Sequence, residues 1–254
     1  MTRRWTYLDH PGPVPLAHRG GASDHPENTM AAFAHAVDLG YRYVETDVHA
    51  TADGRLVAFH DDTLDRVTDA RGRLEDLPWS AVARARVGGT EPIPLLEDLL
   101  GTWPELRVNL DPKHDAAVLG LAEVLRRTSS YDRVCVAAFS GPRLSRFRQL
   151  TGFQVCTALS PPGVARLRLQ PRLLPRCLPG VGCVQVPPRW GRIEVVTERF
   201  LADAHTRGLA VHTWTVDDAA EMRRLLDLGV DGIITDRPRL LREVLEQRGG
   251  WHGP

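Results

Sequence analysis

The sequence predicts an α/β protein with a single (β/α)8 TIM-type barrel and a short insertion after the second strand. Short apolar runs alternate with helical patterns along the chain, and this alternation favours a parallel sheet. Eight strand–helix units fit into 254 residues, and about 250 residues is typical of a closed eight-stranded barrel. We therefore expect one domain over residues 1–254, with the barrel over about residues 14–248.

The eight strands are predicted from apolar runs that end at polar or turn-forming residues. In chain order they cover residues 14–18, 43–48, 107–110, 133–139, 154–159, 182–186, 209–216 and 232–235. A turn at residues 51–54 and a further short strand at residues 55–60 follow the second strand. Residues 61–94 carry scattered charges, glycine and proline, so we interpret them as a loop or small insertion with a short helix at residues 78–86.

The helices are predicted from apolar residues at helical spacing. In residues 28–39, for example, Met30, Phe33 and Val37 share one face, and Gly40 ends the helix. The remaining helices are expected at residues 94–101, 116–127, 142–150, 163–173, 197–207, 218–228 and 238–247. An open doubly wound sheet is the alternative fold, but residues 18–22 lack the G-x-G-x-x-G turn that would favour it after the first strand.

Charge and hydropathy argue against several classes of partner. The chain has 32 Lys and Arg residues and 32 Asp and Glu residues, which argues against nucleic acid or an anionic membrane surface as the main partner. The arginine-rich residues 166–172 are interpreted as a solvated face rather than a membrane patch. No apolar run approaches the roughly 20 residues of a membrane span, and the amino terminus lacks the apolar core of a signal peptide. We therefore expect a cytoplasmic protein without stable membrane insertion.

Three carboxylates lie at the carboxyl ends of predicted strands, where barrel enzymes build their active sites. Glu45 and Asp47 end the second strand and share one face, and Asp111 ends the third. Like charges held this close are costly unless a cation lies between them, and hard oxygen ligands favour Mg²⁺ or Ca²⁺. The residues therefore predict a site for one such ion. The alternative is that a single carboxylate only pairs with Arg19 or Lys113.

Two histidines and two cationic side chains complete the predicted site. His18 ends the first strand, and His60 ends the short strand after the second. Imidazole titrates near neutral pH, so one ring can accept a proton while the other donates one. Arg19 and Lys113, the single lysine of the chain, are predicted to hold phosphate oxygens, arginine as a fork and lysine as a point charge.

Several short motifs, taken in chain order, resemble the glycerophosphodiester phosphodiesterase family. They are HRG at residues 18–20, PENT at 26–29, E-x-D at 45–47, T-x-D-G at 51–54, HDDTLDR at 60–66, NLDPK at 109–113, WTVDD at 214–218 and GVDGIITDRP at 229–238. Each motif alone is weak, but the ordered set spans nearly the whole chain and is specific. The sequence departs from the family pattern at Asp111, where many members carry glutamate, and at Ala138-Phe139, where many carry Ser-Phe.

The resemblance implies a barrel enzyme of the phosphatidylinositol-phospholipase-C-like kind. It implies metal-dependent hydrolysis of a small glycerophosphodiester to glycerol 3-phosphate and an alcohol. By role, the implied site residues are the acid/base pair His18 and His60, the metal ligands Glu45, Asp47 and Asp111, the phosphate-binding Arg19 and Lys113, the site-shaping Glu27 and Asn28 and the pocket-lining Trp214.

Two other functions remain open on the sequence. A lysophospholipase-D-like phosphodiesterase that acts on a lipid would be favoured by an apolar groove beside the metal, and a small polar pocket would count against it. A non-catalytic binding barrel would be expected to lack catalytic groups, whereas the expected ones are present. We therefore rank the glycerophosphodiester reaction first.

Overall fold

The computed structural model of the protein describes residues 5–175 and 177–253. Within this part of the chain, eight parallel strands and the helices between them form a closed barrel. The strands are β1 (Val14–Ala17), β2 (Tyr43–Ala50), β3 (Leu56–Ala58), β4 (Arg86–Val87), β5 (Glu91–Pro92), β6 (Arg107–Pro112), β7 (Val134–Val136), β8 (Cys156–Ala158), β9 (Val181–Val186), β10 (Arg189–Trp190), β11 (Ile193–Glu194), β12 (Ala210–Thr213) and β13 (Gly232–Thr235). The helices are α1 (Met30–Asp38), α2 (Trp79–Val82), α3 (Leu96–Thr102), α4 (Ala116–Arg127), α5 (Gly141–Leu150), α6 (Pro161–Leu169), α7 (Glu198–His205), α8 (Ala219–Leu228) and α9 (Pro238–Gln247).

The barrel closes because its first and last strands pair. The parallel strands follow the order β1, β2, β6, β7, β8, β9, β12 and β13, and β13 pairs with β1. Val14 lies opposite Gly232 and Ala17 opposite Thr235. On its other side, Ala17 lies opposite Val44 of β2. The TIM-type barrel predicted from the sequence is therefore confirmed.

Each predicted helix is present among the described residues, and most boundaries differ by a few residues. Helix α1 was expected from residue 28 but begins at Met30, because Thr29 caps it by accepting a hydrogen bond from the backbone N–H of Ala32 at 3.2 Å. Asn28 lies outside the helix, with a left-handed φ of 57°. No helix in the described residues has the length and apolar composition that a bilayer span requires.

The interior of the barrel is apolar at one end and polar at the other. Side chains alternate along each strand, so every second residue of β2 enters the barrel. Tyr43 packs with Leu16 and Cys183 in the apolar cluster, and its hydroxyl donates to the carbonyl of Tyr7 at 2.8 Å. The amino-terminal segment thus covers this end. The next inward positions of β2 are acidic, so the polar groups gather at the carboxyl end.

The segment after β2 is a packed insertion with its own small core. Strand β3 runs antiparallel to β2, and β4 pairs antiparallel with β5. Val57 and Phe59 pack with Leu64 and Leu74 in a cluster separate from the barrel core. This packing fixes the arm on which His60 lies. The expected short helix within residues 78–86 is α2.

The sequence patterns do not predict the hairpin formed by β10 and β11. In this hairpin Arg189 pairs with Glu194 and Trp190 with Ile193, across a tip that contains Gly191 at a φ of 58°. Each strand has two residues, which is too short for an alternating pattern to be visible. The hairpin follows β9 and stands at the open end of the barrel.

A substitution at Gly182 on β9 tests how tightly the apolar end of the barrel is packed. A Cβ built there would lie 2.5 Å from Cδ1 of Trp5 and 2.6 Å from Sγ of Cys156. We therefore expect Gly182→Ala to lower the free energy of unfolding by about 1–3 kcal/mol, the usual cost of overpacking a core. Denaturant unfolding followed by circular dichroism measures this change.

Gly101→Ala is the matched control. Gly101 lies in α3, and beyond its own helix backbone and chain neighbours no described atom lies within 4 Å of the position of its Cβ. The free energy of unfolding should stay unchanged or rise by up to about 1 kcal/mol, because alanine favours the helix. Equal destabilisation by both substitutions would contradict the packing argument.

Candidate active site

A cavity of about 590 Å³ opens at the carboxyl end of the barrel. One side of it is polar and receives side chains from several strands and from the turns after β1 and β3. These residues are His18, Arg19, Glu45, Asp47, His60, Asn109, Asp111, Lys113 and Gln185. The fold therefore brings every predicted acid/base, metal and phosphate residue to one cavity.

Two carboxylates lie next to each other on β2 and a third lies on β6. Asp47 is opposite Asp111 in the parallel register, and Glu45 and Asp47 are 6% and 1% exposed. Burial and the adjacent Asp47 raise the pKa of Glu45 to about 7. Burial also acts to raise the pKa of Asp47, but Lys113 and Arg19 outweigh it and hold that pKa below its ordinary value.

Lys113 bridges the second and third carboxylates. Its Nζ lies 2.6 Å from Oδ1 of Asp47 and 2.7 Å from Oδ2 of Asp111. Burial acts to lower the pKa of Lys113, but the two carboxylates outweigh it and raise the pKa above its ordinary value. Lys113 therefore carries a positive charge between Asp47 and Asp111.

His18 is held between two carboxylates. It follows β1 in a short 3-10 turn, and its Nδ1 lies 2.7 Å from Oδ1 of Asp236. Its Nε2 lies 3.7 Å from Oε2 of Glu45. Burial acts to lower the pKa of His18, but Glu45 and Asp236 outweigh it and raise the pKa. Asp236 thus fixes the imidazole ring of His18, and Nε2 of the ring faces the site.

His60, which lies in the segment after β3, has a similar arrangement. Its Nδ1 lies 2.6 Å from Oδ1 of Asp61. Arg66 donates to Asp61 and, at 2.7 Å, to Oε1 of Glu27. This hydrogen bond to Arg66 is the main cause that lowers the pKa of Asp61 to about 2, against a smaller opposing effect of burial. Both candidate acid/base rings therefore have an aspartate oxygen beside Nδ1.

Arg19 contacts three acidic side chains from one strained turn. Its φ of 52° lies in the left-handed region, and its backbone N–H donates to Oε2 of Glu45 at 3.1 Å. Its guanidinium donates to Oε1 of Glu27 at 2.9 Å, and its Nε lies 3.3 Å from Oδ2 of Asp47. The turn therefore orients both the backbone and the side chain of Arg19 toward the carboxylates.

The two residues of the PENT turn that were expected to shape the site do contact it. Asn28 is buried, donates from Nδ2 to Oδ2 of Asp47 at 3.1 Å, and accepts from the hydroxyl of Thr46 at 2.7 Å. Glu27 accepts hydrogen bonds from Arg19 and Arg66. Asn28 thus fixes a carboxylate, and Glu27 links the arm of His60 to the turn of Arg19.

The other side of the cavity is apolar. Trp214 lines this side and packs edge-on against Phe139, with ring centroids 5.6 Å apart. We call this side the apolar groove; it is formed mainly by Phe139, Leu159, Val164, Leu169, Trp190, Ile193 and Trp214. The groove lies between α6 and the β10–β11 hairpin. The fold brings these two elements together, although β9 separates them in the sequence.

The polar side offers ligands suited to a hard divalent cation. The carboxylate of Glu45 is buried beside that of Asp47, and burial together with the nearby Asp47 raises the pKa of Glu45. A cation between the two carboxylates would stabilise their charged forms. Carboxylate oxygens are the ligands that Mg²⁺ and Ca²⁺ prefer. Asp111 completes the predicted set, although its nearest cation in this structure is Lys113.

Another group of ligand-type residues lies beside the cavity. One ligand atom each of His49, Asp62 and His114 lies within 4.8 Å of the others, so this group could hold a metal ion. His114 Nε2 is 2.9 Å from Oδ1 of Asp62, and His49 Nε2 is 3.0 Å from the carbonyl oxygen of His60. A further group inside the barrel consists of Cys135, Cys156 and Cys183.

Three residues that position the histidines were given no role by reasoning from the sequence. Asp236 lies near the end of GVDGIITDRP, and Asp61 and Arg66 lie within HDDTLDR. The motifs contain the right residue types, but their spacing does not say which ring each one faces. Asp236 is 218 positions from His18 along the chain, and closure of the barrel brings the two together.

Comparison with known proteins identifies the family. The chain matches the sequence model of the Glycerophosphoryl diester phosphodiesterase family over residues 18–240. It is 41% identical to the Mycobacterium tuberculosis protein named probable glycerophosphodiester phosphodiesterase 2, over 97% of this chain and 96% of that protein. It is 28% identical to the human lysophospholipase D GDPD1, over 91% of this chain and 85% of that protein.

A solved structure has the same fold. An Oleispira antarctica phosphodiesterase, in complex with the product sn-glycerol-3-phosphate, matches with a TM-score of 0.78 at 23% identity, over 92% of this chain and 97% of that one. Because the family match covers most of the chain, the alternative of a non-catalytic binding barrel falls away. The chain belongs to the glycerophosphoryl diester phosphodiesterase family and is a phosphoric diester hydrolase.

Proposed function

We propose that the chain hydrolyses glycerophosphodiesters to glycerol 3-phosphate and an alcohol, with a divalent metal and with His18 and His60 as the general acid/base pair. The observation that carries this proposal is the convergence of two histidines, three carboxylates and two cationic side chains on one cavity. The family match supports the substrate class, as does the product bound to the Oleispira antarctica phosphodiesterase.

Arg19 and Lys113 bind the non-bridging phosphate oxygens in this proposal. Both line the cavity, and both lie within 3.3 Å of Asp47. Carboxylate neighbours hold the two cations before substrate binds, which reduces the ordering cost of binding. A divalent cation such as Mg²⁺ or Ca²⁺, held by Glu45, Asp47 and Asp111, would supply further charge neutralisation at the phosphodiester.

The two histidines transfer the protons. Because a carboxylate accepts from Nδ1 of each ring, Nε2 of each ring is left to exchange a proton with the reactants. One ring deprotonates the nucleophile, which is either water or the glycerol hydroxyl of the substrate. The other ring protonates the leaving alcohol. Attack by the glycerol hydroxyl would give a cyclic phosphodiester that water then opens.

Three further residues complete the proposed site. Asn28 holds Asp47 in place, and Glu27 does the same for Arg19. Trp214 lines the cavity and packs against Phe139. We assign Trp214 to contact with the alcohol part of the substrate, because an aromatic face can pack against choline or an acyl chain.

The acid/base assignment predicts the effect of removing either ring. His18→Ala and His60→Ala should each lower kcat for glycerophosphocholine by about 10²–10⁴-fold, the usual contribution of general acid–base catalysis. Release of choline measures kcat, and near-ultraviolet circular dichroism checks that the fold is retained. Near-normal turnover by either folded variant would remove that residue from the proposed mechanism.

His205→Ala is the matched control for the histidine variants. His205 lies on α7, and its Nε2 is 2.7 Å from Oδ2 of Asp231, so it is also an aspartate-paired histidine. It does not line the cavity. Its replacement should leave kcat within about twofold of the parent, because no proton transfer depends on it.

The metal assignment predicts loss of activity on chelation. EDTA should abolish turnover of glycerophosphocholine, and Mg²⁺ or Ca²⁺ should restore it. Glu45→Gln should raise the metal concentration needed for half-maximal activity by more than roughly 100-fold. Loss of a residue that only supports a metal ligand typically costs about 10–100-fold in metal affinity, and loss of the ligand itself should cost more. Titration of activity against metal concentration measures this.

Asp62→Asn is the control that separates the two candidate metal positions. Asp62 belongs to the group with His49 and His114 and does not line the cavity. If the activating metal binds at Glu45, Asp62→Asn should keep the metal dependence of the parent. A large shift in Asp62→Asn together with a normal response in Glu45→Gln would move the activating metal to the histidine group.

Hydrolysis of a lysophospholipid is a second candidate, favoured by the apolar groove. An apolar groove beside the predicted metal ligands was expected to favour a lipid substrate, and the apolar groove lines the same cavity as Glu45, Asp47 and Asp111. A human relative is named a lysophospholipase D. In this candidate the inner polar residues act on the same phosphodiester, while the acyl chain occupies the groove.

A charge placed in the groove distinguishes the two candidates. Ala165 lines the cavity from α6, so Ala165→Glu should lower kcat/KM for a monomeric lysophosphatidylcholine by about tenfold or more, because an acyl chain would then desolvate a carboxylate. Turnover of glycerophosphocholine should change little. Gln170→Glu adds the same charge at an exposed position next to α6 and is the control. Equal effects on both substrates would argue against acyl binding in the groove.

A further inference from the structure

Large apolar side chains are exposed around the mouth of the cavity. Leu169 is 74% exposed, Trp190 66%, Phe139 63% and Ile193 62%. All four line the cavity. Isolated exposed apolar residues need no explanation, but a contiguous set around one opening usually marks a binding surface.

Two elements present these side chains together. Trp190 and Ile193 are a cross-strand pair of the β10–β11 hairpin, so their side chains share one face of it. On α6 the cavity-lining residues recur with helical spacing and so form one face of the helix; they are Pro161, Val164, Ala165, Arg168 and Leu169. The hairpin and α6 therefore place an apolar rim on both sides of the opening.

The stretch of sequence that includes this rim is basic. Residues 133–193 contain ten arginines and no aspartate or glutamate, although charges balance over the whole chain. Arg166 and Arg172 flank Leu169 along the chain, and Arg192 is at the tip of the hairpin. These three arginines are exposed and form no ion pair with a carboxylate among the described residues. The nearest acidic residue of the hairpin, Glu194, already pairs with Arg224 at 3.0 Å.

We propose that the rim, formed by α6, the turn after it and the β10–β11 hairpin, docks onto the surface of an anionic lipid bilayer. Exposed tryptophan, isoleucine and leucine side chains enter the interfacial region of a bilayer, and neighbouring arginines are attracted to anionic headgroups. Peripheral membrane binding generally needs both contributions, and the rim offers both. Docking is reversible and requires no spanning segment.

The orientation follows from the position of the rim. Because the same side chains surround the mouth of the cavity, a docked molecule has the apolar groove open toward the lipid and the polar residues further from it. This inference goes beyond the proposed function, since it concerns binding to a membrane without turnover. It also replaces the interpretation of residues 166–172 as a solvated face.

Vesicle binding tests the proposal directly. The full chain should sediment with vesicles of phosphatidylcholine containing roughly one-third phosphatidylglycerol, and it should bind less at high salt because exposed charges are then screened. Vesicles of pure phosphatidylcholine should bind it weakly. Failure to bind the anionic vesicles at low salt would overturn the proposal.

Two sets of variants separate the charged and apolar contributions. Arg172→Glu with Arg192→Glu should weaken binding by at least roughly 25-fold, taking about fivefold for each arginine near an anionic surface. Trp190→Ala should weaken binding to the same vesicles without changing its salt dependence. The control is Arg126→Glu with Arg223→Glu, at exposed arginines of α4 and α8, which should bind as the parent does. Equal loss in the control pair would show general charge attraction and overturn the assignment to the rim.

The assay also distinguishes other partners and other failures. If the protein does not bind the anionic vesicles, the proposal is overturned. Binding of an RNA oligonucleotide, or a dimer that Trp190→Ala dissociates, would then identify a different partner for the rim. Arg172 and Arg192 do not line the cavity, so the Arg172→Glu/Arg192→Glu protein should turn over glycerophosphocholine like the parent. Vesicle binding is measured without substrate, so its result stands whether or not the proposed hydrolysis is found.

Discussion

Two buried carboxyl groups at the carboxyl end of the barrel are the constraint on which the rest of the site depends. Glu45 and Asp47 occupy neighbouring inward positions of one strand, away from water and close to each other. Such an arrangement is stable only if positive charge or hydrogen-bond donors surround it. Lys113, Arg19 and the amide of Asn28 provide this for Asp47.

The same constraint explains why the site has so many supporting residues. Each candidate acid/base histidine has its Nδ1 against an aspartate, and Asp61 is in turn held by Arg66. Glu27 receives both Arg66 and Arg19, which links the arm after β3 to the turn after β1. The charged groups therefore form one connected network, and a change at its edge can alter the position of a ring inside it.

The cavity is divided between two kinds of chemistry. Its inner side is charged and suits a phosphodiester, whereas its outer side, between α6 and the hairpin, is apolar. Charge is also unevenly distributed along the chain. The equal total numbers of acidic and basic residues conceal that residues 133–193 contain no aspartate or glutamate. Net charge averages over the surface, while a partner responds to the local charge that it contacts.

The sequence by itself determined the barrel and the chemical identity of the polar site. Period-two alternation places Glu45 and Asp47 on one face, and the ends of parallel strands meet at one edge whatever the loops do. Tertiary structure alone decided which groups face each other. Asp236 reaches His18 because the last strand pairs with the first, and Trp190 comes to line the same cavity as Leu169 because a hairpin of two-residue strands stands beside α6. Contacts between residues far apart in the chain leave no local periodicity, so the apolar half of the cavity could be seen only in the folded molecule.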